Sequence, residues 1–417
     1  MNLVGLVCGV AWMPLAATEF DLGPIYYTDS EDHNKVHDLE RDLPKLFSEN
    51  DPEKCLELLL AHLGISEHSQ VLVFSKSSEQ NSLISPKTPR AIYHSEDYYV
   101  GYVAGGMIEL IAADDPVGMK FYTFDPRAPE GERKVTRDNT CLRCHATART
   151  REVPGVLVRS LSTQKDGHLE IFGDTYLTRP SSPIEERWGG WYVTGRHGDV
   201  PHLGNQFSDG DRDAEKVMNL QSLDGLVDLS NYAQKTSDIV SLMVMEHQVD
   251  VHNLLSWVRM EYERAKFLAL AFDPERDLSQ SALLQRLEQD FSEKLLKALC
   301  FDGEAKLPAD GIDGCDAFAQ SFEARGPRSK EGWSLYDLRL QKRLFKYRCS
   351  YMVYSKGFEF LPPEIKSRTL NLLHQHLTAD AFDGLPKMSK RERERVHAIL
   401  SQTHPDYAKL SASASVY

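Results

Sequence analysis

The 417-residue sequence has little cysteine and no excess of positive charge, and it lacks long apolar runs after its first residues. Seven cysteines are too few for a disulfide scaffold of this length. The net charge of −14 repels phosphate groups, which argues against nucleic acid as the main partner. After the N-terminal segment no stretch reaches the roughly 18 consecutive apolar residues of a membrane span. We therefore expect that the processed chain is not an integral membrane protein.

The first 17 residues, MNLVGLVCGVAWMPLAA, form an apolar run that ends in small residues. This layout is typical of a secretory signal peptide, although the basic residues that usually precede the apolar part are missing. An ordinary buried strand, or a start codon placed too early, would give a similar pattern. We expect residues 1–17 to be a signal peptide and the mature protein to be periplasmic or otherwise exported.

A short helix, a strand-rich region and a helical region follow along the chain. Asp51 as N-cap, Pro52 as the first helical residue and Gly64 as the stop predict the short helix. β-Rich runs between Gly, Pro and Asp turns predict antiparallel strands, and later leucines at helical spacing predict helices. We therefore predict an α+β protein whose antiparallel strand-rich region precedes an all-helical C-terminal region. The predicted units are an N-terminal extension (18–69), a strand-rich domain (70–205), a linker (206–234), a helical domain (235–410) and a tail (411–417).

Cys141, Cys144 and His145 form a C-x-x-C-H motif in the segment TCLRCHA. This pattern is the attachment site of c-type haem, because two thiols add across the haem vinyl groups and the next histidine presents its imidazole to the iron. With 7 cysteines and 15 histidines in the chain, random placement gives only about 0.004 such motifs. We predict one haem c, with its iron, in the domain 70–205. The motif lies between the strand candidate MKFYTFD and the later candidates PGVLVRSLS, HLEIFG and GGWYVTG.

Two other chemistries use paired cysteines. A structural zinc site needs four ligands, and His197 with His202 would supply the second pair, at a spacing longer than that of common zinc fingers. A redox dithiol would follow a strand at the start of a helix, and the preceding KVTRDNT is a poor strand. Separately, Cys300 and Cys315 flank a polar loop, and sequence alone leaves their pairing open.

A methionine soon after the motif is the usual ligand on the other side of the iron, but no methionine occurs between the motif and Met218. In the segment RWGGWYVTGRHGDVPHLGN, His197 and His202 are candidate iron ligands, or histidines that face solvent. Trp188 and Trp191 beside them are candidate contacts for the porphyrin, since aromatic rings pack on its face.

A further candidate is the helical stretch SLMVMEHQVDVHNLLSW. Glu246, Asp250 and Asn253 fall on one helix face, either as a polar pocket or as a solvated stripe. His247 and His252 lie about 140° apart around the helix, so at most one of them can point at a single iron.

The segments NTCLRCH, VPGVLVRSL and RWGGWYVTG, followed by His202-Leu203-Gly204-Asn205, resemble a family of large bacterial monohaem cytochrome-c-like proteins without an assigned biochemical role. SPKTPRAIYHSEDYYVGYV and RLFKYRCSYMVYS extend the resemblance over most of residues 70–380. The resemblance implies that Cys141 and Cys144 are thioether anchors and that His145 is the proximal ligand. A fainter resemblance relates the strand–motif–strand order to haem-c sensory domains with a PAS-like sheet.

Three functions agree with these features. The leading hypothesis is an exported monohaem c-type protein that transfers single electrons to and from a redox partner protein. The second is a haem enzyme acting on peroxide or a nitrogen oxide, with Arg196, His197 or Glu246 as acid or base groups. The third is a haem-based redox or gas sensor. The sequence favours an electron carrier over an oxidoreductase without deciding between them.

Overall fold

A computed structural model describes residues 19–113, 115–208, 219–379 and 385–414. The predicted signal peptide lies outside the described residues, as do residues 209–218 of the predicted linker and residues 415–417 of the predicted tail. Residues 411–414 of that tail continue the last helix. No helix in the described ranges is long and apolar enough to cross a membrane.

Within the described part of the chain, six strands form one antiparallel sheet in which each strand pairs with the next. Alternating apolar residues and short turns favour this meander. Two further two-stranded sheets lie outside it. The strands are β1 (Val71–Val73), β2 (Arg90–His94), β3 (Tyr98–Tyr102), β4 (Ile108–Ala112), β5 (Lys120–Phe124), β6 (Val135–Arg137), β7 (Arg159–Leu161), β8 (Thr175–Leu177), β9 (Leu338–Gln341) and β10 (Arg343–Phe345).

Helices dominate the second half of the chain, which confirms the predicted α+β class. The short helix begins as predicted, since Asp51 accepts a hydrogen bond from the Glu53 amide at 2.9 Å, and Gly64 ends it with φ +67°. The helices are α1 (Leu39–Asp42), α2 (Pro52–Leu63), α3 (Leu142–His145), α4 (Ile239–Phe272), α5 (Ala282–Leu299), α6 (Asp316–Arg325), α7 (Lys356–Glu359), α8 (Pro363–Thr378), α9 (Lys390–Thr403) and α10 (Pro405–Ala414).

Some predicted elements differ from the observed ones. The C-terminal region is not entirely helical, because β9 and β10 form an antiparallel hairpin. HLEIFG (168–173) and GGWYVTG (189–195) contribute only isolated bridges rather than strands. In GGWYVTG, Gly190 (φ +81°) and Gly195 (φ +124°) turn the backbone out of the extended conformation. Cys300 and Cys315 are free thiols.

The two faces of the six-stranded sheet pack against different partners. Tyr93, Val100 and Phe124 point to one face and share a core with α2. Tyr99, Ile111 and Phe121 are lateral neighbours across β3, β4 and β5 on the opposite face. Tyr99 and Phe121 belong to the largest core, which also contains buried residues of α4, α5, α8 and α9. The predicted strand-rich and helical domains therefore share one hydrophobic core.

Candidate functional site

The C-x-x-C-H motif lies between β6 and β7, in a 3₁₀ turn that runs into α3. Asp138 begins this turn, because its side chain accepts a hydrogen bond from the Thr140 amide at 2.9 Å. The Asp138 amide donates to the carbonyl of Phe121 at 2.9 Å, which fixes the motif beside β5. Cys141 is half-buried and Cys144 is exposed, and both are free thiols. Burial raises the pKa of the Cys141 thiol to about 12.

An open cleft lies between the motif and one face of the six-stranded sheet. Its cavity volume is about 170 Å³, and the atom-free space that includes open solvent at its mouth is about 1210 Å³. Cofactor pockets commonly have volumes of about 300–1,000 Å³, so the cavity itself is smaller than that class and a bound cofactor would project into the solvent at its mouth. Cys141, Cys144, His145 and Trp191 all line it. Its apolar wall includes Val73, Ile92, Ile111, Phe121, Val156, Val158 and Met245.

His145 is held by a pair of hydrogen bonds to one loop residue. Its Nδ1 lies 2.9 Å from the carbonyl oxygen of Gly155, and the Gly155 amide donates to the His145 carbonyl at 2.8 Å. Because a carbonyl only accepts, Nδ1 carries the proton and Nε2 keeps its lone pair in the neutral ring. Burial lowers the pKa of His145, which favours that neutral form. The ring packs on Phe121, with centroids 5.1 Å apart.

Helix α4 anchors the segment that forms the far wall of the cleft. The side chain of Asn253 bonds both backbone groups of Val156, at 2.9 Å to the amide and 2.8 Å to the carbonyl. Asp250, on the same helix face, lies 3.6 Å from Arg179. Asn253 and Asp250 therefore hold the loops that follow the motif. The polar face of α4 is not a solvated stripe, and these two residues do not line the cleft.

Glu246 completes this polar helix face in a fully buried cluster. Its carboxylate accepts a hydrogen bond from Nε1 of Trp188 at 2.6 Å and pairs with Arg187 at 2.7 Å. Burial raises the pKa of Glu246, whereas the Arg187 guanidinium opposes that shift. Because both oxygens accept from donors, we assign the pair as ionised. Trp188 is used in this cluster and does not line the cleft.

His197 and His202 bond to each other rather than face the motif. Their Nε2 atoms are 3.1 Å apart. Nδ1 of His197 donates to the Val200 carbonyl at 2.9 Å, and Nδ1 of His202 accepts from the Gly204 amide at 3.0 Å. This assigns a neutral pair in which His202 donates its Nε2 proton to His197. Neither histidine lines the cleft. The predicted ligand roles of His197 and His202 receive no support from this geometry.

The other candidate groups do not line the cleft either, and each forms a hydrogen bond or an ion pair with another side chain. Arg196 is exposed and pairs with Asp313 at 3.0 Å. His252 bonds the Tyr99 hydroxyl through Nδ1 at 2.9 Å, and His247 bonds Ser350 through Nε2 at 2.6 Å. Of the seven residues predicted for the site, four therefore come together at the cleft: Cys141, Cys144, His145 and Trp191.

No match to this chain is found among models of protein families, curated proteins or solved structures. Its function is therefore argued from its own residues. Sequence reasoning missed most of the cleft lining, including two residues with chemistry relevant to a haem, Met245 and Arg159. Met245 sits within a continuous apolar stretch of α4, and Arg159 is one of many arginines. Neither carries a local pattern that separates it from ordinary core or surface residues.

Proposed function

We propose that this protein is an exported monohaem c-type cytochrome that exchanges single electrons with a redox partner protein. The observation that carries the proposal is the position of Cys141, Cys144 and His145 on one apolar cleft, with Nδ1 of His145 bonded to the Gly155 carbonyl. That bond leaves Nε2 without a hydrogen-bond partner among the described residues, as an iron ligand requires. Covalent haem in this cleft would supply an iron that takes up and releases one electron. Membership of the cytochrome-c-like family that the motif segments resemble is part of the proposal.

The residues of the cleft fit a haem. Its wall is mainly apolar, as a porphyrin face requires. Arg90 and Arg159 also line the cleft, and the buried Nε of each has no hydrogen-bond partner among the described residues. Arg90 pairs with Glu109 at 3.0 Å, whereas Arg159 has no ion pair within the described ranges. A guanidinium group is a strong partner for the carboxylates of haem propionates. We assign Arg159 to that role.

Met245 would be the second side chain that holds the iron of such a haem. The hydroxyls of Tyr99 and Tyr122 are already hydrogen-bonded, at 2.9 and 2.7 Å, to other side chains. Burial raises the pKa of both phenols, which disfavours phenolate ligands. Met245 lines the cleft, and methionine as an iron ligand raises the reduction potential of a haem relative to histidine.

The three acid–base groups that the sequence offered for chemistry on peroxide do not line the cleft. An enzyme of that class needs an acid–base group next to the bound small molecule. Arg196, His197 and Glu246, the sequence candidates for that role, are each paired outside the cleft lining. A second ligand from Met245 would also occupy the position that a small molecule needs.

The proposal is tested by expressing the full chain with a cytochrome c maturation system. We expect haem to stay with the polypeptide on a denaturing gel and the mature protein to appear in the periplasmic fraction. The double variant Cys141→Ala/Cys144→Ala should lose the haem stain. Cys315→Ala, a half-buried thiol outside the cleft, is the matched control and should keep it. Folded wild-type protein without covalent haem would refute the proposal.

A further inference from the structure

A second cavity lies next to the haem cleft, on the other side of a thin wall. Val156 and Val158 line both cavities. The polar lining of the second one comes from the loop after the motif, from the end of β8 and from α4. These polar residues are Arg149, Arg151, Thr178, Arg179, Asp250 and Asn253.

Positive charge exceeds negative charge in this cavity. Three guanidinium groups face one carboxylate, Asp250, which lies 3.6 Å from Arg179. Arg151 stacks over the ring of Trp257, at 5.6 Å from its centroid. Within the described residues, neither Arg149 nor Arg151 has an ion pair. Burial lowers the pKa of Arg151; the Asp250 carboxylate opposes that shift, and the charge of Arg179 adds to it to a smaller extent. An anion between these groups would offset this unfavourable charge.

Thr178 provides an independent indication of a ligand. Its side chain lines the cavity with only 3% of the residue exposed. Its Oγ1 is buried and has no hydrogen-bond partner among the described residues. The neighbouring side chain of Asn253 bonds Val156 and makes no hydrogen bond to Thr178 Oγ1. A buried hydroxyl left without a partner is destabilising, so an acceptor is expected in front of it.

We propose that Arg149, Arg151, Thr178 and Arg179 form a binding site for a small oxyanion, such as phosphate or a free carboxylate. The enclosed part of the cavity measures about 10 Å³, which is room for about one water-sized group. One oxygen of the anion would enter between Thr178 and the guanidinium groups. The remaining oxygens would lie at the mouth, where Arg149 is exposed. Guanidinium groups and a hydroxyl are the donors that oxyanions prefer.

Anion binding at this site would also change the reduction potential of the haem, a consequence that rests on the proposed function. An anion behind the Val156–Val158 wall stabilises the ferric iron relative to the ferrous iron, because the ferric form carries one more positive charge. By linkage, ferric protein binds the anion more tightly than ferrous protein does. The anion therefore lowers the reduction potential.

The site is tested by calorimetric titration of the full chain with inorganic phosphate at constant ionic strength. We expect wild-type protein to bind one phosphate and the variants Arg149→Gln, Arg179→Gln and Thr178→Val to bind it at least tenfold more weakly. Arg196→Gln removes an exposed arginine that does not line the cavity and that pairs with Asp313, and it is the control for charge alone. Circular dichroism shows that each variant is folded, and the exposed position of Arg149 makes its variant the safest one.

Two outcomes overturn the site: no phosphate binding by folded wild-type protein, or equal binding by wild type and all three cavity variants. The titration does not depend on haem, so loss of haem would refute the proposed function and leave the anion site standing. In haem-loaded protein, the midpoint potential is then measured with phosphate and with chloride. A tenfold difference in phosphate affinity between the two oxidation states corresponds to about 59 mV for one electron. An unchanged midpoint potential would refute the claim that the bound anion lowers the reduction potential.

Discussion

Nδ1 of His145 lies 2.9 Å from the carbonyl oxygen of Gly155, and the amide of Gly155 donates back to the His145 carbonyl at 2.8 Å. This two-way contact fixes the ring relative to the loop that follows the motif. The loop is itself held to α4, because Asn253 bonds both backbone groups of the next residue, Val156. The orientation of the imidazole is thus determined by a helix about one hundred residues further along the chain.

Replacing Asn253 tests this chain of contacts. Asn253→Leu keeps the branched shape of the side chain and leaves the amide and the carbonyl of buried Val156 without partners, so we expect a loss of about 2–4 kcal/mol in unfolding free energy. In haem-loaded protein the potential should rise, because a weaker bond at Nδ1 makes His145 a poorer donor to iron. Urea unfolding and potentiometry measure both effects. Asn371→Leu, on the exposed face of α8, should change neither; an unchanged potential in Asn253→Leu would contradict the argument.

Met245 and Met243 give a matched pair on α4. Both are buried, but only Met245 lines the cleft. Each change to Ala should cost about 2–5 kcal/mol of stability through the cavity that it leaves. Only Met245→Ala should convert the haem spectrum from low spin to high spin and let carbon monoxide bind the ferrous iron, because it opens a coordination position. A low-spin Met245→Ala protein that does not bind carbon monoxide would rule out Met245 as a ligand.

Glu246 and Arg187 form a buried ion pair, with exposed fractions of 0% and 1% for their side chains. Glu246→Gln leaves the guanidinium charge buried without its carboxylate, so we expect a loss of about 3–5 kcal/mol in unfolding free energy. Asp313→Asn breaks the exposed pair with Arg196 and should cost below about 1 kcal/mol. Equal effects in chemical denaturation would mean that the buried carboxylate is protonated.

His202 should make stability depend on pH. Burial, with a smaller effect of His197, lowers its pKa from 6.5 to about 3. Below pH 6.5 the unfolded chain takes up a proton at this histidine, whereas the folded chain stays neutral there until the pH approaches 3. The stability that the neutral histidine contributes is therefore present above pH 6.5 and is lost towards pH 3. This group alone contributes a slope of up to about 1.4 kcal/mol per pH unit.

Urea unfolding at pH 7, 6 and 5 measures that slope. His202→Gln removes the titrating group and should reduce the slope by roughly one proton. His168→Gln is the control, because His168 is exposed and pairs locally with Asp166, and it should leave the slope unchanged. A slope that is identical in wild type and His202→Gln would show that His202 binds its proton equally in the folded and the unfolded chain, which contradicts the prediction.

Sequence patterns were sufficient where the determining contacts are local. The C-x-x-C-H motif needs only five consecutive residues, and the strands β1 to β5 follow from short β-rich runs and the Gly, Pro and Asp turns between them. The short helix from Pro52 is defined by its own cap and stop. Helices α4, α5, α8 and α9 were also predicted, since helical spacing of apolar residues is a local property. The hairpin of β9 and β10 was missed, because its short polar strands have no strong alternation.

The environment of the motif was decided only by the tertiary structure. His197 and His202 lie in the segment where an iron ligand was expected, yet they are hydrogen-bonded to each other and do not line the cleft. Met245 and Arg159 reach the cleft because α4 and β7 pack beside the sheet, and contacts between segments so distant in sequence leave no periodic signal. The sequence by itself determined which atoms could attach a haem. Packing decided which side chains surround it, since burial and hydrogen-bond satisfaction depend on neighbours from the whole chain.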